Sequence, residues 1–425
     1  MRTYKQSIHR PPAYQNLALW ACVICMMSAA GCRHRPVETT PGIDSPRQTW
    51  VRVLLFGNLR MCTVASMSGF EIEDTASGTL ANFRGNEPFV VQISGRTLVI
   101  GEHRFDGEVL IRPREPFVFR INDKPYRGHL RLRVNESEPV FEAVNLVPLE
   151  SYLFGVVGAE MPSYWEPEAL KAQAVASRTY CLFIKGRLGQ RRSWDVTQSE
   201  SSQVYRGLDA ETQTVRAAVL ATAGEVLVAP SAEGRELIIP TYYSSSCGGH
   251  TEAAGNVFGG EKIASLRGVQ CGYCVGVARR GNYYWKPVTM TLRQVSEKLI
   301  QRYPTLEKIE PIVNFKVTKL GYKSRAVRVT LIGKNGATDT VRGEDFRLTL
   351  DPTGRKIKSA IFTVEKKGNR VSFQNGLGFG HGVGLCQCGA QGMARKGKTY
   401  RDILSYYYPD SKRVTIAPAE TTTEP

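Results

Sequence analysis

Glu160 is the side chain in this sequence best placed to do acid chemistry. It lies just past a short apolar segment, Pro148 to Val157, and just before a sharp turn at Met161-Pro162. A longer alanine-lined segment, about Pro167 to Lys185, follows and carries Gln173, Arg178 and Tyr180. If both segments are helices, the carboxylate faces the negative end of the first helix dipole, which opposes its ionisation. A glutamic acid held in that way stays protonated near neutral pH and serves as a general acid. Glu150 and Glu252 are the nearest rivals, and both read as surface residues. Glu166 and Glu168 read as structural complements of the positive start of the second helix.

Three further blocks could carry chemistry. Cys247, His250, Cys271 and Cys274 have the form C-x2-H-x20-C-x2-C. That spacing suits a tetrahedral zinc site built from thiolates and an imidazole. Cys386 and Cys388 are rival ligands, two apart and on one face if they lie in a strand. Disulfides are the competing account, since metal binding needs free thiolates. The last block, Gly376 to Gly384, sets five glycines within nine residues around His381. No Lys-Ser/Thr follows, which argues against a phosphate loop. The expectation is that these glycines let backbone amides and His381 approach a ligand closely, with His381 orienting a sugar hydroxyl or acting as a base.

The elements that must position these residues belong to an exported chain of 425 residues, enough for two or three domains. Arg2, Lys5 and Arg10 precede an apolar run from Leu17 to Met27 and the small residues Ser28-Ala29-Ala30-Gly31-Cys32. Residues 1–32 read as a secretory signal, and Ala-Ala-Gly-Cys resembles a lipobox that would lipidate Cys32. Cleavage near Ala30 without lipidation is the alternative. Export points to the cell envelope and removes nucleic acid from the expected partners. The net charge is +17, about +14 after the leader, and suits an anionic partner or a solvated surface. Ten cysteines leave seven beyond the leader (62, 181, 247, 271, 274, 386 and 388), so not all can pair among themselves.

The fold class expected is α+β, an N-terminal antiparallel β layer followed by a mixed α/β core. Residues 33–49, with three prolines, read as a flexible linker. Residues 50–146 alternate in short apolar runs such as Val51 to Phe56 and Leu130 to Val134, the pattern of antiparallel strands. Residues 147–410 form the core. It includes helices near Glu211 to Gly224, Thr289 to Tyr303 and Thr399 to Tyr408, and a β-rich insertion at 285–371. Residues 411–425 read as a polar, disordered tail.

Taken together, the blocks resemble the stage II sporulation protein D family, also called the amidase-enhancer family. The resemblance rests on Pro148 to Pro162, Glu168 to Tyr180, Ser244 to Thr251, Gly380 to Gly384 with Gln387 and Gly389-Ala390, and Tyr406 to Pro409. It implies a lytic transglycosylase that cuts peptidoglycan glycan strands, preferring strands stripped of stem peptides, with the essential acid at Glu160. It also implies zinc near the site in some members and an alternative role as a glycan-binding activator of a cell-wall amidase. One carboxylate suffices for such a lyase, whereas a hydrolase usually needs two. On this reading Gln173, Arg178, Tyr180, His381 and Gln387 hold the glycan, with Arg178 meeting a muramic carboxylate. A disulfide-held structural protein of the envelope is the third reading.

Overall fold

The computed structural model describes residues 49–416, except 67, 79, 84–86 and 232. The leader, Cys32, most of the linker and residues 417–425 lie outside the described residues.

Two antiparallel sheets form the N-terminal part. In the first, Trp50–Leu59 pairs with Phe141–Pro148, which pairs with His129–Val134 and so on to Leu80–Phe83. The short strand Val196–Thr197 joins its edge in parallel with Trp50–Leu59. The second sheet is centred on Met61–Ala65, Val118–Ile121 and Phe89–Ser94. Alternation explains the layer: Val51, Val53 and Leu55 are buried while Arg52, Leu54 and Phe56 are less so. Inward residues of both sheets belong to one apolar cluster.

That cluster continues into the helices. Helix α1 (Leu149–Glu160) starts directly after the strand ending at Pro148 and buries Tyr152 to Val157. Helix α2 (Pro167–Leu188) begins with Pro167 in its first turn and buries Ala169, Ala172, Ala174 and Ala176. Helix α3 (Gln213–Leu220) is capped by the Thr212 hydroxyl and packs against both. It is shorter than the expected span Glu211 to Gly224.

The insertion has its own core, a separate cluster that includes Val295, Leu299, Phe315, Val329, Phe346 and Phe373. Its entry and exit lie side by side, because Tyr284–Trp285 pairs antiparallel with Gly376–Leu377. The β-rich insertion expected at 285–371 also holds a helix, Gly343–Leu350. Phe346 and Leu350, four apart, face the core there, and Glu344 and Asp345 occupy its first turn. The tail expected from residue 411 is corrected in part. Lys412–Thr415 is a strand that pairs antiparallel with Glu225–Pro230, and Val414 packs against the main cluster.

Candidate functional site

Glu160 is the last residue of α1, so its carboxyl group does sit at the negative end of that helix. It is half-buried. The backbone N–H of Val204 donates to Oε1 at 2.9 Å. The Tyr243 hydroxyl donates to the same oxygen at 3.4 Å, and Gln387 Nε2 donates to Oε2 at 3.2 Å. Burial raises the Glu160 pKa above the ordinary carboxylate value; these three donors pull the other way without cancelling it, and Glu200 adds to the rise. The leading influences on it are burial, three neutral donors and one distant carboxylate. The environment is a desolvated pocket of neutral donors around one acid.

Two glycines of α1 build this pocket. A side chain at Gly155 would strike the Tyr205 ring at 2.6 Å, and one at Gly158 would strike the Ala210 carbonyl at 1.9 Å. Their absence lets the 204–210 segment lie on α1, which delivers the Val204 N–H to Glu160. Sequence reasoning missed Val204, Gln203 and Tyr243. The signal available for the first two was the pair of glycines three apart on an apolar helix, which marks a close neighbour.

The donors are themselves fixed. Gln203 Nε2 donates to the Tyr243 hydroxyl at 3.0 Å and accepts from the Tyr152 hydroxyl, through Oε1, at 3.1 Å. With its oxygen occupied as an acceptor, the Tyr243 hydroxyl proton is left for Glu160. Gln387 Nε2 also approaches Gln173 Oε1 at 3.5 Å, and Gln173 Nε2 donates to Ser177 Oγ at 2.9 Å. Gln173, Ser177 and Gln203 are almost wholly buried. Of the residues expected to hold glycan, Gln387 therefore touches the acid directly, and Gln173 positions Gln387.

Tyr180 lines the same region. Its ring lies 5.7 Å from Tyr242 and 6.4 Å from Tyr243. Tyr242 in turn packs on Phe258 at 4.6 Å and meets His381 at 6.2 Å. An aromatic wall thus runs from the acid to His381. His381 Nδ1 accepts from the Val383 N–H at 3.0 Å, which leaves any ring proton on Nε2. Burial pushes His381 down to about 4; the nearby Arg325 adds to this and Glu344 opposes it. The ring is neutral at neutral pH.

Arg178 corrects an expectation. It is fully buried and grips Glu150 through two bonds, Nε to Oε1 at 2.8 Å and Nη2 to Oε2 at 2.6 Å. Nη1 donates to the Glu225 carbonyl at 3.1 Å and Nη2 also reaches Val219. The guanidinium is committed to the fold and offers no face to a sugar. Glu150 is its counter-ion rather than a free surface acid. Glu252 is also not at the surface: it is fully buried, accepting from the Ala253 and Tyr322 N–H groups and from Asn256 Nδ2.

Two glycines of the glycine-rich turn make room for the protein's own groups. A side chain at Gly384 (φ +69°) would lie 2.0 Å from the Tyr242 carbonyl, and one at Gly382 (φ +74°) would strike the Arg325 guanidinium. These glycines let Leu385–Cys386 pair in parallel with Tyr243–Ser244. That pairing matters, because it registers Tyr243 opposite Leu385 and leaves Gln387 one residue beyond Cys386.

The Cys247, Cys271, Cys274 and Cys386 sulfurs all lie within 4.8 Å of one another, and all four residues are buried. Cys386 takes the place expected for His250. The His250 ring instead stacks on Tyr322 at 3.8 Å, with Nδ1 2.6 Å from the Thr251 carbonyl. Cys388 is buried too but lies outside the cluster, whereas Cys386 joins it and caps the helix Gln387–Ala394. Among the described residues the cysteines are free thiols, so the disulfide account finds no pair here. The group could hold a metal ion. Tetrahedral bonds of about 2.3 Å separate sulfurs by about 3.8 Å, and Cys247 Sγ lies 3.8 Å from Cys274 Sγ. The Cys247 and Gly389 N–H groups donate to Cys386 Sγ at 3.3 Å, the support a thiolate needs. Hydrogen bonds from neighbouring thiols, Cys247 first, hold Cys271 and Cys274 below the usual thiol value; burial pushes Cys386 above it. Without a cation the four cannot all be thiolates together. One peptide bond then joins this cluster to the acid, since Gln387 follows Cys386.

Known proteins match the chain over this region. The stage II sporulation protein family profile matches residues 137–228, which hold α1, α2 and the Val204 segment. An uncharacterized protein of Brachyspira hyodysenteriae is 33% identical over 344 residues, 77% of this chain and 84% of that protein. Stage II sporulation protein D of Bacillus subtilis is 30% identical over 290 residues, 64% of this chain and 77% of that protein. The amidase enhancer of Bacillus subtilis is 29% identical over 60% of this chain and 39% of its own length. On this profile match and a 30% identity that covers 77% of the Bacillus subtilis stage II sporulation protein D, the chain belongs to the stage II sporulation protein D family.

Proposed function

We propose that this protein is an exported lytic transglycosylase of the cell envelope that cleaves peptidoglycan glycan strands, peptide-free strands above all. The observation that carries this reading is a single desolvated glutamic acid, Glu160, with neutral donors on both oxygens. Protonated Glu160 gives its proton to the glycosidic oxygen, and the bond from that oxygen to the muramic anomeric carbon breaks. The 6-hydroxyl of the same muramic residue closes on the anomeric carbon and returns its proton to the Glu160 carboxylate. The products are a 1,6-anhydro end and a free sugar hydroxyl, and no water is consumed. Val204, Tyr243 and Gln387 hold the carboxylate while it is briefly charged. Tyr180 and Tyr242 give sugar faces an aromatic wall.

Digestion of purified amidase-treated glycan, read by mass spectrometry, tests the reaction. Anhydro-ended fragments are expected from the wild type, with a loss of at least about 10³-fold in Glu160→Gln. Equal fragment yield from both proteins refutes it. Likeness to an amidase enhancer favours a second reading, a non-catalytic glycan-binding activator of an amidase. Glycan binding without anhydro product would select that one. Attachment to a membrane through lipid on Cys32 accords with either reading.

We also propose zinc as the ion at the four cysteines, where all-thiolate tetrahedral ligation suits it. Bound there, it would supply charge compensation and fix the strand that carries Gln387. Elemental analysis should find one zinc per chain. Cys386→Ser should lose most of it, and His250→Ala should keep it. The reverse pattern would restore the ligand set expected from spacing.

A further inference from the structure

Charge is distributed unevenly in this protein. Residues 285–371 hold 19 Lys and Arg against 8 Asp and Glu, so they carry +11 of the total +17. Folding does not require this excess, since the insertion closes its own apolar core. Part of it is gathered on the outer face of one sheet, formed by Ile312–Leu320, Ala326–Gly333 and Thr338–Arg342. The register sets Lys319, Arg328 and Arg342 in one row across the three strands. The next row holds Thr330 and Thr340 with Thr318, whose hydroxyls are linked at 3.0 and 3.3 Å, and Lys316 stands opposite Thr330. Lys316, Lys319 and Arg328 are exposed. Arg342 is paired with Asp345 at 2.6 Å, but Lys319 and Arg328 stand directly opposite each other, and like charges so placed repel, which costs stability unless an anion covers them.

The row is joined to the candidate site. Lys319 Nζ donates to Asn256 Oδ1 at 3.0 Å, and Arg342 donates to the Phe258 carbonyl. The Phe258 ring lies 5.2 Å from His381 and packs on Tyr242, the end of the aromatic wall that leads to Glu160. A polymer leaving the acid along that wall would run onto the cationic strands.

We propose that this basic sheet face is a second glycan subsite, which reads the free lactyl carboxylates of peptide-stripped strands. The inference rests on the glycan-cleaving role argued above. It gives a physical reason for preferring such strands: removing the stem peptide uncovers one carboxylate on each muramic residue. Hydroxyls beside cations suit a hydrated anionic sugar polymer better than a lipid surface, which would call for apolar side chains in the same rows.

The test uses the full chain carrying Glu160→Gln, so that bound strands stay whole and binding is read apart from cleavage. Two probes are compared: peptide-free glycan strands, and the same strands with their carboxyls converted to neutral amides. The parent should bind the first about tenfold more tightly, and added salt should erase the difference. Adding Lys316→Glu and Arg328→Glu should abolish that preference and leave binding to the neutral probe unchanged. Both side chains are exposed, and a carboxylate at position 328 would stand between Lys319 and Arg342, so the melting temperature should hold. Equal affinity of the parent for both probes overturns the proposal. So does an equal loss on both probes in the double variant. Capture by phosphatidylglycerol vesicles that the double variant loses, with its glycan preference intact, would assign the face to a membrane and overturn it too. Whether wild-type protein makes anhydro ends is decided separately, so failure here leaves the role of Glu160 standing or falling by its own assay.

Discussion

The two ends of α1 carry a glutamate each, and they have opposite surroundings. Glu150 stands in the first turn, where the helix dipole favours a negative charge, and binds the buried Arg178 through both oxygens. Glu160 stands at the last residue, where the dipole disfavours charge, among donors that are all neutral. The same side chain is a structural anion at one end and a poised acid at the other. What separates them is the placing of one guanidinium, and the rise of ten residues keeps the two ends about 15 Å apart.

The contrast can be broken at its structural end with the largest effect. Arg178→Met should cost about 3–5 kcal/mol of stability, because Glu150 and the Glu225 and Val219 carbonyls lose their partner in a buried site. Urea unfolding measures it. A variant of unchanged stability with weakened glycan affinity would return Arg178 to sugar binding. Glu150→Gln should cost less, about 1–3 kcal/mol, since the amide still accepts one bond from Arg178. Its pH–rate profile should match the wild type.

At the reactive end the sharpest change is Tyr243→Phe. Burial pushes the Tyr243 phenol well above its usual pKa, so it remains a donor, and that bond favours ionised Glu160. Removing it should raise the Glu160 pKa further and move the alkaline limb of kcat/KM to higher pH, with only a few-fold loss at the optimum. A limb that moves to lower pH would contradict this polarity. The linkage sign follows. Because folding raises the Glu160 pKa, its contribution to stability is full below the ordinary carboxylate range and is lost as pH rises through the folded value.

Much of this is legible in the sequence, for reasons that are local. Glu160 stands out because an apolar helix, a proline turn and a second helix start are all readable from neighbours along the chain. The α+β pattern with antiparallel N-terminal strands is readable from alternation. Arg178 misleads because residue type gives charge but not partner. Its ion pair with Glu150 spans 28 residues, and its bond to Glu225 spans 47. The cysteine set misleads for a similar reason. Even spacing favours His250, but the ligand position is filled by Cys386, 139 residues from Cys247, through a parallel strand pair that no spacing announces. The glycine turn is conspicuous along the chain, but the neighbours that two of its glycines admit, Tyr242 and Arg325, are remote in sequence and not readable from it.

The protonation state of Glu160 is the point on which the account turns, and difference infrared spectroscopy reads it directly. The spectrum of wild-type protein minus Glu160→Gln is recorded from about pH 4 to about pH 9, a range that brackets the ordinary carboxylate value. A protonated carboxyl C=O band that persists well above the ordinary carboxylate range is the predicted result. A band already replaced by carboxylate absorption at about pH 5 would show an ordinary ionised glutamate and contradict the proposed chemistry.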